Sequence, residues 1–145
     1  NTFASSTFWT DRIGPTAAIK TLEIMQRLKS WDYITNLGKI LKKNLKKISR
    51  DTNLPINILG LDAMPKFYFK KNHNIYKTFI SQEFIKKNIL ASNTIYLCIT
   101  HNERMLKNYL SIMHDIFLRI KKNEDEKNFP LSLLENDPAL SSIRG

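Results

Sequence analysis

Ile56-Asn57-Ile58-Leu59-Gly60-Leu61-Asp62-Ala63-Met64-Pro65-Lys66-Phe67-Tyr68-Phe69 is where the hydrophobic period of this chain changes. Ile56 to Leu61 and Lys66 to Phe69 are short β-branched or aromatic runs on either side of Asp62-Ala63-Met64-Pro65, a pattern that predicts two strands and a turn. The sequence around them reads as helix. Upstream, Trp31, Ile34, Leu37, Leu41, Leu45 and Ile48 recur at spacings of 3, 3, 4, 4 and 3, one continuous apolar stripe. An earlier helix is expected from Pro15, which suits a first turn, to about Leu28, with Ile19, Leu22, Met25 and Leu28 in register. Ser30 is placed as the N-cap of the second helix.

Downstream, Ile75 to Lys87 predicts a third helix with Tyr76, Phe79, Ile80 and Phe84 on one side, and Asn88 in the left-handed position after it. Thr94 to Ile99 reads as a third strand. Thr100-His101-Asn102-Glu103 matches a capping box and opens a last helix carrying Leu106, Tyr109, Leu110, Met113, Ile116, Phe117 and Ile120, ending near Lys121 and Lys122. The expected class is α/β of the α+β type: a three-stranded, mostly antiparallel sheet covered by helices. Residues 1–14 read as a loop, 15–122 as the folded domain and 123–145 as a loosely attached polar tail.

At 145 residues, 42% hydrophobic and 25% charged, the chain has the size and composition of one globular domain. No apolar run approaches the roughly 18 residues of a membrane span, and Asn1 to Thr10 lack the basic and apolar regions of a signal peptide. The formal net charge of +10 raises the question of an anionic partner. Its composition argues against nucleic acid: 17 of the basic residues are Lys and 6 are Arg, and Arg makes the bidentate contacts. Lys39, Lys42, Lys43, Lys46, Lys47 and Arg50 concentrate on the second helix, where a solvated outer face accounts for them; as an alternative, this face makes the chain a stand-alone basic module for an anionic partner.

The familiar catalytic patterns are missing. The four glycines, at 14, 38, 60 and 145, form no phosphate loop, and His73, His101 and His114 have no metal-ligand spacing. Cys98, the one cysteine, is expected as a buried strand thiol with nothing nearby to lower its pKa, and a reducing cytosol suits it. His101 is expected to serve the helix start rather than acid–base chemistry. One stretch remains: Ser5, Ser6, Thr7 and Thr10 gather hydroxyls ahead of the first helix, a setting that can hold a phosphate or simply cap the helix.

Ser5-Ser6-Thr7-Phe8-Trp9-Thr10-Asp11-Arg12-Ile13-Gly14-Pro15-Thr16-Ala17-Ala18, continued by Ile19-Lys20-Thr21-Leu22, resembles the start of the C-terminal segment of class III pyridoxal-phosphate aminotransferases. Within that family it is most similar to the branch of glutamate-1-semialdehyde aminomutase. Ile89-Leu90-Ala91 ahead of a strand, then His101 and a long last helix, agree with the family's order, and the likeness covers roughly residues 3 to 122. The Phe8-Trp9 form departs from the commoner Gly-Asn-Pro form at that place, and the tail beyond Lys122 is atypical.

The resemblance implies the small C-terminal domain of a fold-type I enzyme, cytoplasmic and homodimeric. Its hydroxyl loop would reach across the dimer to the phosphate of the neighbour's pyridoxal 5'-phosphate. By the same match, Thr7 makes that contact with Ser6 beside it. It further implies a large catalytic domain elsewhere in a longer polypeptide, supplying the cofactor lysine, and a small amino-group donor and acceptor as substrates. None of the 17 lysines here lies in the family's catalytic context, so the segment alone is expected to be inactive.

Overall fold

The computed structural model describes residues 11–139. Four helices and one hairpin follow in the order α1 (Ile13–Leu28), α2 (Ser30–Asp51), β1 (Ile56–Leu59), β2 (Lys66–Phe69), α3 (His73–Ile85) and α4 (Glu103–Asp125), closed by a 3-10 turn over Pro130–Leu133. The stripe on α2 faces the core as its spacing demands: Leu37, Leu41, Leu45 and Ile48 are buried, while Trp31 at the first turn stays exposed. A single residue, Lys29, joins α1 to α2, with φ 46° and ψ 45°. That left-handed residue caps α2, so Ser30 is the first helical residue and its buried Oγ has no partner among the described residues. The expected Ser30 cap is therefore not made.

β1 and β2 form a two-stranded antiparallel sheet in which Ile56 faces Phe69 and Ile58 faces Phe67. These pairs point to the core, where Phe69 meets Tyr76 edge-on at 5.2 Å and lies 5.4 Å from the Phe117 ring. Such contacts, with Leu41, Leu45, Phe79, Ile80, Phe84, Met113 and Ile120 fully buried around them, are the main source of stability. Between the strands, Gly60 turns the chain at φ +84°, a value few side-chain-bearing residues adopt.

The expected third strand does not form. Residues 94–97 run antiparallel beside β2, but only Lys66 and Thr94 form a bridge, flanked by Phe67 N–H to the Asn93 carbonyl (3.0 Å) and Ile95 N–H to the Pro65 carbonyl (2.9 Å). The next rung would need an N–H at residue 65 directed to the Ile95 carbonyl. Proline has none, so the ladder stops after one bridge, with only a long Leu97 N–H to Ala63 carbonyl contact (3.4 Å) beyond it. Asn93 strengthens the surviving bridge: its side-chain amide donates to the Phe67 carbonyl at 3.1 Å.

The start of α4 also differs from expectation. Asn102, not Thr100, is the N-cap, and its side chain accepts from Met105 N–H at 3.0 Å. After α3, Asn88 adopts φ +58° as expected, and the N–H groups of Asn88 and Ile89 close the helix on the Ile85 and Phe84 carbonyls. α4 continues through Asp125, so its last turn includes the buried Asn123. Beyond it, Gln82 bonds both the Leu133 carbonyl and the Glu135 N–H, and Ala139 N–H donates to Thr78 Oγ1. Residues in the segment read as a tail are thus held against α3.

Candidate functional site

The two residues singled out for a phosphate contact, Ser6 and Thr7, lie outside the described residues. What the structure shows is the helix start they precede. Asp11 Oδ1 accepts from Ile13 N–H at 2.9 Å, Thr16 N–H bonds the Arg12 carbonyl at 3.0 Å, and Pro15 has no N–H. Among the described residues only Gly14 N–H remains uncommitted in the first turn of α1. The helix terminus proper has little capacity for an anion.

An amine that forms a Schiff base works best when burial or neighbouring cations depress its pKa. Lys86 and Lys121 are perturbed the other way: bonds donated to Glu135 and Glu83 raise the first, and a bond donated to Asp125 raises the second. Both are anchored ammonium groups, suited to ion pairs and not to nucleophilic attack.

A second constellation is the basic face of α2. Lys39, Lys42, Lys43, Lys46, Ser49 and Arg50, with Ile56 and Asp62 opposite, line a groove of about 560 Å³. Lys42 is committed, donating to the Gly60 carbonyl at 2.7 Å and to Asp62 at 2.8 Å, and that bond holds the Asp62 carboxyl below its usual range. Gly38, one turn before, allows the approach: a Cβ there would sit 1.7 Å from the Asp62 carbonyl oxygen. In the sequence the lysines are plain, while this contact is marked only by a lone glycine in an otherwise helical stripe.

A smaller apolar cavity of about 240 Å³ opens between α2, the 89–97 segment and α4, lined by Leu37, Leu41, Ile95, Leu97, Met105 and Tyr109 among others. Tyr109 stacks on Phe84 at 4.7 Å, its hydroxyl is buried without a partner among the described residues, and burial pushes its pKa up. Beside the cavity, His101 bonds the preceding turn and α2, and Asn102 takes the place at the start of α4 that was expected of His101. The His101 Nδ1 accepts from Cys98 N–H at 3.3 Å, and its carbonyl accepts from the Tyr33 hydroxyl at 2.6 Å. Cys98 corrects the expectation twice, because it is exposed and its Sγ lies 3.1 Å from Thr100 Oγ1. That side-chain contact, helped by backbone N–H groups, lowers the thiol pKa.

The chain is 28% identical over 126 residues to the 3-aminobutyryl-CoA aminotransferase of Cloacimonas acidaminovorans, an alignment covering 83% of this chain and 30% of that enzyme. Its fold matches the FumI protein of Sphingopyxis sp. MTA144, a structure of the PLP internal aldimine form, with a TM-score of 0.75 and 18% identity over 92% of this chain and 33% of that one. The fold is that of about a third of the FumI chain. No protein-family model matches. The chain spans about a third of the length of the proteins it matches.

Proposed function

We propose that this chain is the small C-terminal domain of a class III PLP-dependent aminotransferase of the aminomutase-like branch, cytoplasmic and dimeric in its complete form. The observation that carries the reading is the fold agreement with FumI across 92% of the chain, joined to similarity with an aminotransferase over the same region. The residue motif from Ser5 to Ala18 supports it independently.

In this reading Ser6 and Thr7 contribute hydroxyl donors to the cofactor phosphate of the partner subunit, where neutral donors bind a dianion without the entropy cost of ordering long basic side chains. Pyridoxal phosphate, when bound, supplies the electron sink for amino-group transfer between small donor and acceptor molecules. Its lysine belongs to the large domain, because none of the 17 lysines here lies in the family's catalytic context. The chain's own contribution is to position: α1 carries the hydroxyl loop, and the core of α2, α3 and α4 holds α1 through its junction with α2.

The test is optical. The 145-residue chain mixed with pyridoxal phosphate is expected to give no stoichiometric visible band that disappears on borohydride reduction. The polypeptide expressed from its complete reading frame is expected to give one, and Thr7→Ala is expected to weaken cofactor affinity there about tenfold, for the loss of one hydrogen bond to a charged group. No band in the complete polypeptide sinks the reading.

A further inference from the structure

The cations of α2 are arranged unlike those of the other helices. α1 pairs Lys20 with Glu23, the end of α3 pairs Lys86 with Glu83, and α4 pairs Lys121 with Asp125. From Lys39 to Arg50, α2 carries no carboxylate at all. Lys39, Lys43, Lys46 and Arg50 make no ion pair among the described residues. Lys39 and Lys43, Lys42 and Lys46, and Lys46 and Arg50 stand four residues apart, the spacing at which like charges destabilise a helix. Solubility does not require such a row, because interspersed acids would serve it equally and remove the repulsion. A bound anion would remove it too.

The four unpaired cations share one wall of the groove between α2 and β1. At about 100° per residue they fall within an arc of about 60°, and at about 1.5 Å per residue they extend along about 16 Å of helix. Their flexible stems let them converge on one ligand. Lys42 and Asp62 neutralise each other at 2.8 Å, so the surplus charge of the groove is that of the four. Ser49 has given its hydroxyl proton to the Leu54 carbonyl at 2.8 Å and adds no donor. The wall therefore recognises charge, and the amount of charge selects the ligand. A phosphate monoester carries about −1.5 to −2 at neutral pH, so one phosphate leaves about half the surplus unmatched and two balance it. No aromatic ring is among the groove's described walls, so the bases of a nucleic-acid strand would have nothing to stack on. The volume, about 560 Å³, is that of a small-molecule site. We propose that this groove binds a small molecule carrying two or more linked phosphates, a nucleoside diphosphate or an inorganic polyphosphate. The site stands apart from the aminotransferase reading, and the failure of either leaves the other intact.

The experiment is a calorimetric titration of the polypeptide expressed from its complete reading frame, without divalent cations. The probes are inorganic pyrophosphate, ADP, AMP, inorganic phosphate and a short oligothymidylate. Pyrophosphate and ADP are expected to bind at least about tenfold more tightly than phosphate and AMP, and more tightly than the oligothymidylate. Equal affinity for pyrophosphate and ADP would rest recognition on the phosphates alone, and tighter binding of ADP would add a nucleoside contact to it. Lys43→Gln combined with Lys46→Gln is expected to weaken pyrophosphate at least about tenfold. Lys87→Gln combined with Lys107→Gln, two exposed lysines away from the groove, is expected to change it less than about twofold. Because the groove variant removes like-charge neighbours, its urea midpoint is expected to equal or exceed that of the parent, which separates lost binding from lost folding. No saturable binding of pyrophosphate, equal affinity for phosphate and pyrophosphate, tighter binding of the oligothymidylate, or affinity unmoved by the groove variant overturns the inference.

Discussion

Gly38 shows how much a single hydrogen atom can decide. In the middle of α2 it lets the Asp62 carbonyl approach to a distance that a methyl group would reduce to 1.7 Å, a clash with backbone that no rotamer change relieves. Gly38→Ala is expected to destabilise the domain by about 3 kcal/mol or more, read as a fall in the urea midpoint, even though alanine is the better helix former. Tyr109 gives the opposite sign. Its hydroxyl is buried without a partner, so Tyr109→Phe removes a desolvation cost at unchanged shape and is expected to stabilise by about 1 kcal/mol in the same assay. Neither effect could be read from the sequence: a glycine in a helical stripe signals only a weak spot, and a tyrosine at a core spacing carries no mark of whether its hydroxyl finds a partner. The stripes themselves were legible. Leu37, Leu41, Leu45, Ile48, Tyr76, Phe79, Ile80 and Phe84 are buried where their spacing put them, because burial of apolar side chains overrides every other local preference in a domain of this size.

At the scale of elements, the termini were harder than the bodies. Thr100 and Asn102 both offer an oxygen to the start of α4, and Asn102 wins with a bond to Met105 N–H, while Thr100 turns to Cys98. Asn102→Ala is expected to cost about 1 kcal/mol in thermal or urea unfolding, and Thr100→Ala much less. The third strand failed for a reason that was present in the sequence but depends on register. Pro65 interrupts a ladder only if its missing N–H is the one the neighbour needs, and that is decided by how residues 94–97 align with β2. Pro65→Ala is therefore expected to create one new slow-exchanging amide, at residue 65, and to extend the bridge at Lys66 and Thr94 toward Met64 and Tyr96. NMR exchange and cross-strand contacts check it directly. The candidate phosphate site was legible only as a motif: hydroxyls in a row say that a phosphate could be held, and the described residues add that the helix behind them holds little of it.

For the whole molecule, acid should be the most revealing stress. Burial and the charges of Lys77 and Lys66 lower the pKa of His73 below the ordinary histidine value of 6.5, so the unfolded chain takes up a proton that the native state refuses. Stability present above about pH 6.5 is expected to decline as the pH falls from there toward the folded pKa, and His73→Phe is expected to flatten that limb. A second decline follows at lower pH. Burial pushes the Glu83 carboxyl up, but bonds from Lys86, Gln82 and Arg119 outweigh it, and its pKa lies below the ordinary glutamate value of 4.5. That contribution is complete above about pH 4.5 and is lost as the pH falls through the folded value. Glu83→Gln is expected to remove this lower step while leaving the His73 step, a distinction that urea midpoints taken between about pH 3 and 8 would resolve.

The junction at Lys29 ties these scales together. A lysine held at φ 46° sits where glycine would rest without strain, at a cost of about 1 kcal/mol, and in return the backbone there has few other torsions to visit. Glycine in its place would relax the joint and let the leading rod swing. The body formed by α2, α3 and α4 therefore sets, through one pair of torsion angles, the direction in which everything borne on that rod is aimed.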